Sequence, residues 1–363
     1  MKLLLIGTLL SFSAFQCFAD NVILREYWEY DLYLDEHPEQ KKLTKEMEKR
    51  IYQAPVPLAI QQQRPVKIDI VYPGSQLSDF WWRNIKTLEL RLQELGIEYE
   101  LNKYSSRPNL DYRQESESLQ QVLKNNSDYL VFTLDTSRHK KFAESVMNNP
   151  NTKLILLNIT TPIKRWGEKQ PLMYVGFDHI RGTQLLANEY KKMFPDSADY
   201  GLVYFSPGYI SEARGDTFVK YLKDDGEYAL KRAYFTKANR ETAYQATMSM
   251  IEQESDLDFI YASSTDIAFG VTDALSELGR EDIAVNGWGG GSEIEAVQSG
   301  VLDFTVVRMN DDTGLAMAEA IKLDLQNDPV PLVYSGEYQV FTKNDEPSLA
   351  EALKLKAFRY SNR

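Results

Sequence analysis

Residues 66–95 read VKIDIVYPGSQLSDFWWRNIKTLELRLQEL, and their pattern changes period half-way. VKIDIVY is rich in β-branched residues, as a half- or fully buried strand is, and it stops at Pro73-Gly74, a turn pair. Trp81, Ile85, Leu88, Leu92 and Leu95 then recur at i, i+4, i+7, i+11 and i+14, the apolar stripe of a packed helix. Trp82, Lys86 and Glu89 fall on the solvent face of that helix. The junction carries two polar side chains, Gln76 and Ser78, beside Trp81 at the tip of the buried stripe. Trp81 reads equally as core or as the aromatic wall of a pocket.

The same strand-then-helix unit continues along the chain. After a helix over about 79–95 come IEYELNKY, a helix over 112–124, DYLVFTLD, a helix near 140–147 and KLILLNI. MYVGF at 173–177 opens a second series with predicted helices over 180–193, 211–223, 240–253, 266–278, 292–299 and 311–326. Its strands are YGLVYFS, ALKRAYF, FIYASS, IAVNGW and FTVVR, and LVYSGEYQVF at 332–341 reads as one more, before a closing helix. Short β-rich runs alternating with helices predict right-handed βαβ units and parallel sheets. The expected fold class is α/β, two doubly wound Rossmann-like lobes with a hinge, ligand at the carboxyl ends of the strands. The expected division is 66–165 plus about 310–330 for the first lobe and 170–308 plus about 332–345 for the second, with a C-terminal helix in 346–363.

The chain ahead of the first strand differs. Residues 1–19 join Lys2, an apolar run and Cys17-Phe18-Ala19, the three-part pattern of a secretory signal peptide cleaved near Ala19. Residues 20–65 form a charged, aromatic extension followed by a proline-punctuated linker, read as a surface-packed helical segment or a docking element. Cys17 is the sole cysteine, so an exported chain would rest on its core rather than on disulfides. No second long apolar run follows, so the protein is expected in the periplasm and not membrane-inserted. The net charge of −12 and the lack of a basic patch argue against nucleic acid as a partner.

Catalytic and nucleotide signatures are missing. No GxGxxG follows the first strand, no GxxxxGK[ST] loop occurs, and no GxSxG elbow is present. GWGGGS at 287–292 follows a strand and opens a helix, so its amides could face an anion or merely form a tight turn. His37, His139 and His179 lack metal-ligand spacing. The expectation is a binding protein, not an enzyme, with no metal and no cofactor.

SSTDIAFGVTDALSELGREDIAVNGWGGGSEIEAVQSGVLDFTVVR, residues 263–308, resembles the second half of periplasmic sugar-binding proteins of the ribose-binding type. SEARGDTF at 211–218 is similar to the family segment in which an arginine near a helix start faces the ligand. The resemblance spans about residues 66–341 and implies the type I periplasmic binding protein fold. The departures matter more. Where such proteins commonly carry an acid that reads neutral hydroxyls, this chain has Gly289 beside Trp288, and where they carry a hinge-strand glutamine it has Arg308. With Arg214 retained, the site shifts towards positive charge, and arginines bind anionic oxygens well.

That pattern resembles the members of the family that receive autoinducer-2, a furanosyl borate diester. The resemblance implies Arg214 and Arg308 on the borate oxygens, and Gln76, Ser78, Asn158, Thr265 and Asp266 on ring hydroxyls, with Trp81 and Trp288 lining the cleft. Borate would enter as part of the ligand. It also implies a LuxQ-type sensor histidine kinase as partner, through its periplasmic domain. Residue by residue other roles stay open: Arg214 on a helix surface, Thr265 as N-cap, Asp266 in a helix first turn, Asn158 ending a strand. The competing function is the sugar-binding component of an uptake transporter, with a phosphorylated sugar as a further ligand that two arginines would suit. A cytosolic repressor of the same fold lacks its DNA-binding helix pair here, and a glycosyltransferase lacks its nucleotide motif.

Overall fold

The computed structural model describes residues 23–74, 76–105, 112–224 and 227–363. The signal-peptide reading therefore lies outside the described residues. Two helices, α1 (Tyr30–Glu36) and α2 (Pro38–Tyr52), precede β1 (Val66–Tyr72), α3 (Phe80–Glu94), β2 (Tyr99–Ser105), α4 (Tyr112–Asn125), β3 (Tyr129–Thr133), α5 (Ser137–Met147), β4 (Lys153–Leu157) and β5 (Met173–Gly176). Then follow α6 (His179–Met193), β6 (Ala198–Tyr204), α7 (Thr217–Asp224), β7 (Tyr228–Phe235), α8 (Arg240–Gln253), β8 (Phe259–Ala262), α9 (Thr265–Leu278), β9 (Ala284–Gly287), α10 (Gly291–Gln298) and β10 (Phe304–Arg308). The chain closes with α11 (Asp311–Leu325), β11 (Val333–Ser335), β12 (Tyr338–Thr342) and α12 (Pro347–Ala357).

The strands form two six-stranded sheets, ordered β11-β5-β4-β3-β1-β2 and β12-β10-β9-β8-β6-β7. Every pairing is parallel except β10 with β12. The fold is thus α/β with two parallel-sheet lobes. The period change read in residues 66–95 is realised directly: Leu88, Leu92 and Leu95 are wholly buried against the first sheet.

The seam between the lobes differs from the sequence reading in two places. MYVGF, expected to open the second lobe, is the fifth strand of the first: Ile155, Leu156 and Leu157 pair with Met173, Tyr174 and Val175. Alternation marks a strand but does not assign its sheet, because a strand buried on both faces looks the same in either. LVYSGEYQVF, expected as one strand, is two. Val333–Ser335 pairs in the first sheet and Tyr338–Thr342 in the second. Gly336 lies at the break, where a Cβ would stand 2.6 Å from the Phe177 ring. The lobes accordingly hold residues 66–176 with 311–335, and 179–308 with 338–342.

The chain crosses between lobes three times, after β5, after β10 and between β11 and β12. Helix α11 packs on α3 and α2, and so returns to the first lobe. Both ends of the chain add further ties. Tyr27 bridges to Ile163 in the first lobe while its ring lies 5.0 Å from Tyr209 in the second. At the other end, α12 sits on the second lobe beside α10 and β12. Beyond it, the amides of Tyr360 and Ser361 donate to Asp311 Oδ2 at 2.7 and 2.9 Å, on the first lobe.

Candidate ligand-binding site

Strand ends and helix starts from both lobes converge where the crossings meet, the place a doubly wound sheet offers a ligand. A cavity of about 890 Å³, counting its open mouth, lies there, and Gln76, Ser78, Trp81, Asn158, Arg214, Thr265, Asp266, Trp288 and Arg308 all line it. The first four come from the first lobe and the rest from the second.

On the first lobe, the helix register puts Trp81 6% exposed and Trp82 49% exposed. Both open readings of Trp81 hold at once, since it packs in the first-lobe core and also walls the cavity. Its indole N–H donates to Gln76 Oε1 at 2.8 Å, which fixes the polar junction against the aromatic one. Asn158 follows β4 with a left-handed φ of 65°, a conformation asparagine tolerates better than most residues. Its buried Oδ1 and the Oγ1 of Thr133, also on the cavity wall, have no hydrogen-bond partner among the described residues. Buried polar atoms of this kind favour a hydrogen-bonding ligand.

The second lobe brings the charge. Arg214 lies in a π-helical turn, Ser211–Asp216, that leads into α7, an irregularity often found at functional sites. Its Nη1 donates to the Ser263 carbonyl at 2.8 Å, and its guanidinium lies 3.9 Å from the Trp288 ring centroid. Nε and Nη2 fork onto His179 Nδ1 at 3.4 and 3.3 Å. Arg308, at the end of β10, donates from Nε to the Gly289 carbonyl at 3.0 Å and from Nη2 to Ser78 Oγ at 3.4 Å. It also stands 4.6 Å from the Phe80 ring. Both arginines are 5% exposed, and all of these partners are neutral. Burial, then the like charge of Arg308, pushes Arg214 down to about 10. Burial also lowers Arg308.

Three further features tune this charge. Glu293, wholly buried behind the glycine loop, accepts from the Trp288 amide at 2.5 Å, and burial pushes its carboxyl up to about 7 against the pull of that amide and Arg308. His179 is fully buried, and burial with the Arg214 charge holds it well below the usual imidazole range. Asp266 is raised by burial, an effect opposed by the Leu77 and Ser78 amides.

Polar contacts join the lobes on both flanks of the cavity. On one, Asp266 Oδ1 accepts from the Leu77 amide at 3.1 Å and Asp79 Oδ2 from the Gly291 amide at 3.5 Å. On the other, the Asp135 carbonyl and Oδ1 accept from the Tyr209 and Ile210 amides at 3.0 and 3.1 Å. The lobes are therefore closed on each other.

Two sequence readings are corrected here. The N-cap of α9 is Ser264, whose hydroxyl accepts from the Ile267 amide at 3.4 Å, not Thr265, which is the first helical residue. The GWGGGS amides face groups of this chain: Trp288 donates to Glu293, Gly289 to Thr305 Oγ1 and Gly291, at the start of α10, to Asp79. Sequence reading also missed Thr133, Asp135, Arg138 and His179, of which the first three line the cavity. Thr133 and Asp135 end the predicted strand DYLVFTLD, so the strand-end rule that selected Asn158 would have found them.

The model of the periplasmic binding protein domain matches residues 70–328, more than half of the chain. The chain belongs to the periplasmic binding protein family. Similar solved structures include GanP, a glucose-galactose binding protein from Geobacillus stearothermophilus, at 18% identity and TM-score 0.69, with 78% of this chain and 100% of that one covered. A carbohydrate transporter solute-binding protein from Agrobacterium radiobacter, in complex with D-arabinose, aligns at 16% identity and TM-score 0.70 over 80% of this chain and 99% of that one. The XylFII–LytSN complex aligns at 14% identity and TM-score 0.67 over 78% and 100%. These likenesses establish the type I binding-protein fold. Among the described residues no helix is long and apolar enough to cross a membrane, and no cluster of His, Cys, Asp or Glu could hold a metal.

Proposed function

We propose that this chain is a periplasmic receptor that closes on a small, polyhydroxylated anion, and that autoinducer-2 as its furanosyl borate diester is that anion. One observation carries the reading: two nearly buried guanidinium groups, Arg214 and Arg308, reach the cavity with only neutral hydrogen-bond partners in the protein, the carboxyls of Glu293 and Asp79 being felt from beyond ion-pair distance. Burying charge without a counter-charge is costly, and an anionic ligand offsets that cost with charge-assisted hydrogen bonds. The polar atoms of Gln76, Ser78, Asn158, Thr265 and Asp266 surround the same space, which suits ring hydroxyls, and Trp81 and Trp288 supply an apolar wall. Boron itself rests on the resemblance of the motifs to LuxP-type receptors. So does the sensor-kinase partner; a structural neighbour, XylFII, is likewise found in a complex, with LytSN.

The second reading, a sugar-binding component of an uptake transporter, is the one the comparisons favour. Similar structures hold D-arabinose, D-allose and myo-inositol. The two readings differ in the charge of the ligand. Calorimetric titration of the mature protein with the autoinducer-2 precursor, with and without borate, separates them when ribose, D-arabinose and ribose 5-phosphate are run beside it. Tight, borate-dependent binding supports the signal receptor. Binding of a neutral sugar, indifferent to borate, moves the chain to the uptake class, and preference for ribose 5-phosphate keeps the anionic cleft but replaces its ligand.

A further inference from the structure

We propose that His179 is a positioning residue that ties the two halves of the binding site together, and that it does so only as the neutral imidazole protonated on Nε2. His179 opens α6 directly after the first crossing between lobes. Its Nε2 lies 3.1 Å from the Asn158 carbonyl in the first lobe, and its Nδ1 lies 3.3–3.4 Å from Nη2 and Nε of Arg214 in the second. The proton assignment follows from the partners. A guanidinium has five N–H donors and no acceptor, so Nδ1 must accept. A carbonyl only accepts, so Nε2 must donate. A single tautomer satisfies both, and a second proton on the ring would point N–H at N–H.

The surroundings hold the ring in that form. Burial and then the Arg214 charge disfavour the cation, with a smaller push from Arg308, while the Asn158 carbonyl favours it. Tyr209 and Trp288 close over the ring, with centroids 5.9 and 6.2 Å away. Asp178, the neighbouring carboxylate, is turned to the Ile180 amide as helix cap. Arg214 thereby has its donors divided: Nη1 to the Ser263 carbonyl, one edge to His179, and the remaining N–H groups for the cavity. Asn158, held by its carbonyl, keeps its unpartnered Oδ1 on the cavity wall. His179 does not itself line the cavity and acts through these two lining residues.

The affinity part of the test rests on the anionic-ligand reading, so two measurements are paired. Long-range nitrogen–proton NMR of the histidine rings, on ligand-free protein, reads the tautomer without any ligand. An Nε2-protonated ring that stays neutral well below the ordinary imidazole range is expected. An Nδ1-protonated ring, or titration near the ordinary value of about 6.5, overturns the proposal whatever the ligand proves to be. The second measurement is a double-mutant cycle with His179→Phe and Arg214→Met, titrated with the autoinducer-2 precursor plus borate and with ribose 5-phosphate. His179→Phe alone is expected to weaken binding ~10- to 100-fold, the loss of a hydrogen bond to a charged group. His179→Gln, which keeps one donor and one acceptor, recovers part of it. In the Arg214→Met background the His179 substitution is expected to change affinity less than about twofold. An undiminished effect there means that the ring merely fills space, and it overturns the positioning role. If neither probe binds the wild-type protein, the function proposed above fails while the NMR result still decides the tautomer.

Discussion

At the scale of single residues, the site is two arginines whose neighbours are carbonyls, a hydroxyl, an imidazole and aromatic faces. Arg308→Met keeps most of the apolar stem packed on Phe80 and removes the charge. It is expected to weaken binding of the borate-bearing signal by about 2–4 kcal/mol, measured by calorimetry, while neutral ribose is unaffected or gains. Equal losses for both ligands would mean that the arginine serves the fold. The tryptophan pair gives a second comparison. Trp81→Ala, at the cavity wall, should lower affinity sharply, and Trp82→Ala, half-exposed with Arg83 stacked on it, should change it little. Much of the site was legible because strand ends and helix starts are visible as period changes. His179 was not, since a histidine without metal-ligand spacing looks like any other until the fold brings Asn158 and Arg214 to its two nitrogens. Gly289 was legible as a missing acid but not as a necessity. Its φ is 76°, and a Cβ would stand 1.9 Å from the Val306 carbonyl, so no side chain fits.

At the scale of elements, helix starts set which polar groups remain for the ligand. Ser264 caps α9, and Thr265 and Asp266 beside it line the cavity, the first also within hydrogen-bond reach of Glu293 and the second accepting from the Leu77 amide. The two residues differ in their expected effect on affinity. Ser264→Ala is expected to cost about 1 kcal/mol of stability in denaturant unfolding, with a modest effect on affinity. Thr265→Ala, which removes a buried hydroxyl from the cavity wall, should cost about 1 kcal/mol as well and weaken ligand binding more than Ser264→Ala does. Helix α5 shows why boundaries are harder to read than elements. The sequence places its start near Lys140, but it begins at Ser137, because the Thr136 hydroxyl accepts from the His139 amide and the His139 ring accepts from the Thr136 amide. A histidine in that reciprocal role is not the Glu or Gln that marks such a cap in sequence. The strands and helices themselves were legible from period alone; the assignment of β5 and the division of β11 from β12 were not, because sheet membership is decided by partners far along the chain.

At the scale of the whole molecule, burial at the hinge and cleft makes stability depend on pH. Glu293 is pushed up to about 7, and Asp178 and Asp312 are each pushed up to about 6, all chiefly by burial. A carboxyl raised in the folded state holds a proton that the unfolded chain has already released. Stability from such a group is fully present below its unfolded value, near 4, and is lost as pH rises through the folded one. His179 acts with the opposite sign: it is depressed in the folded state, so it costs stability as pH falls below about 6.5. The two tendencies overlap at about pH 6 to 6.5, where the folded aspartates and the unfolded histidine both titrate. From about pH 6.5 to 7.5 the residual protonation of the unfolded histidine and that of the two folded aspartates act with opposite signs and largely offset each other, so Glu293 sets most of the slope among these groups. Thermal unfolding of the wild-type protein is therefore expected to show stability falling with pH across that window, by up to ~1.4 kcal/mol per unit. Glu293→Gln, which can still accept from the Trp288 amide, should flatten the curve there and leave the acid limb set by His179 in place. A variant curve that keeps the wild-type slope between pH 6.5 and 7.5 would show that Glu293 is already ionised in the fold. The buried arginine at position 308 would then have a full counter-charge behind it, and the case for an anion in the cleft would rest on Arg214 alone.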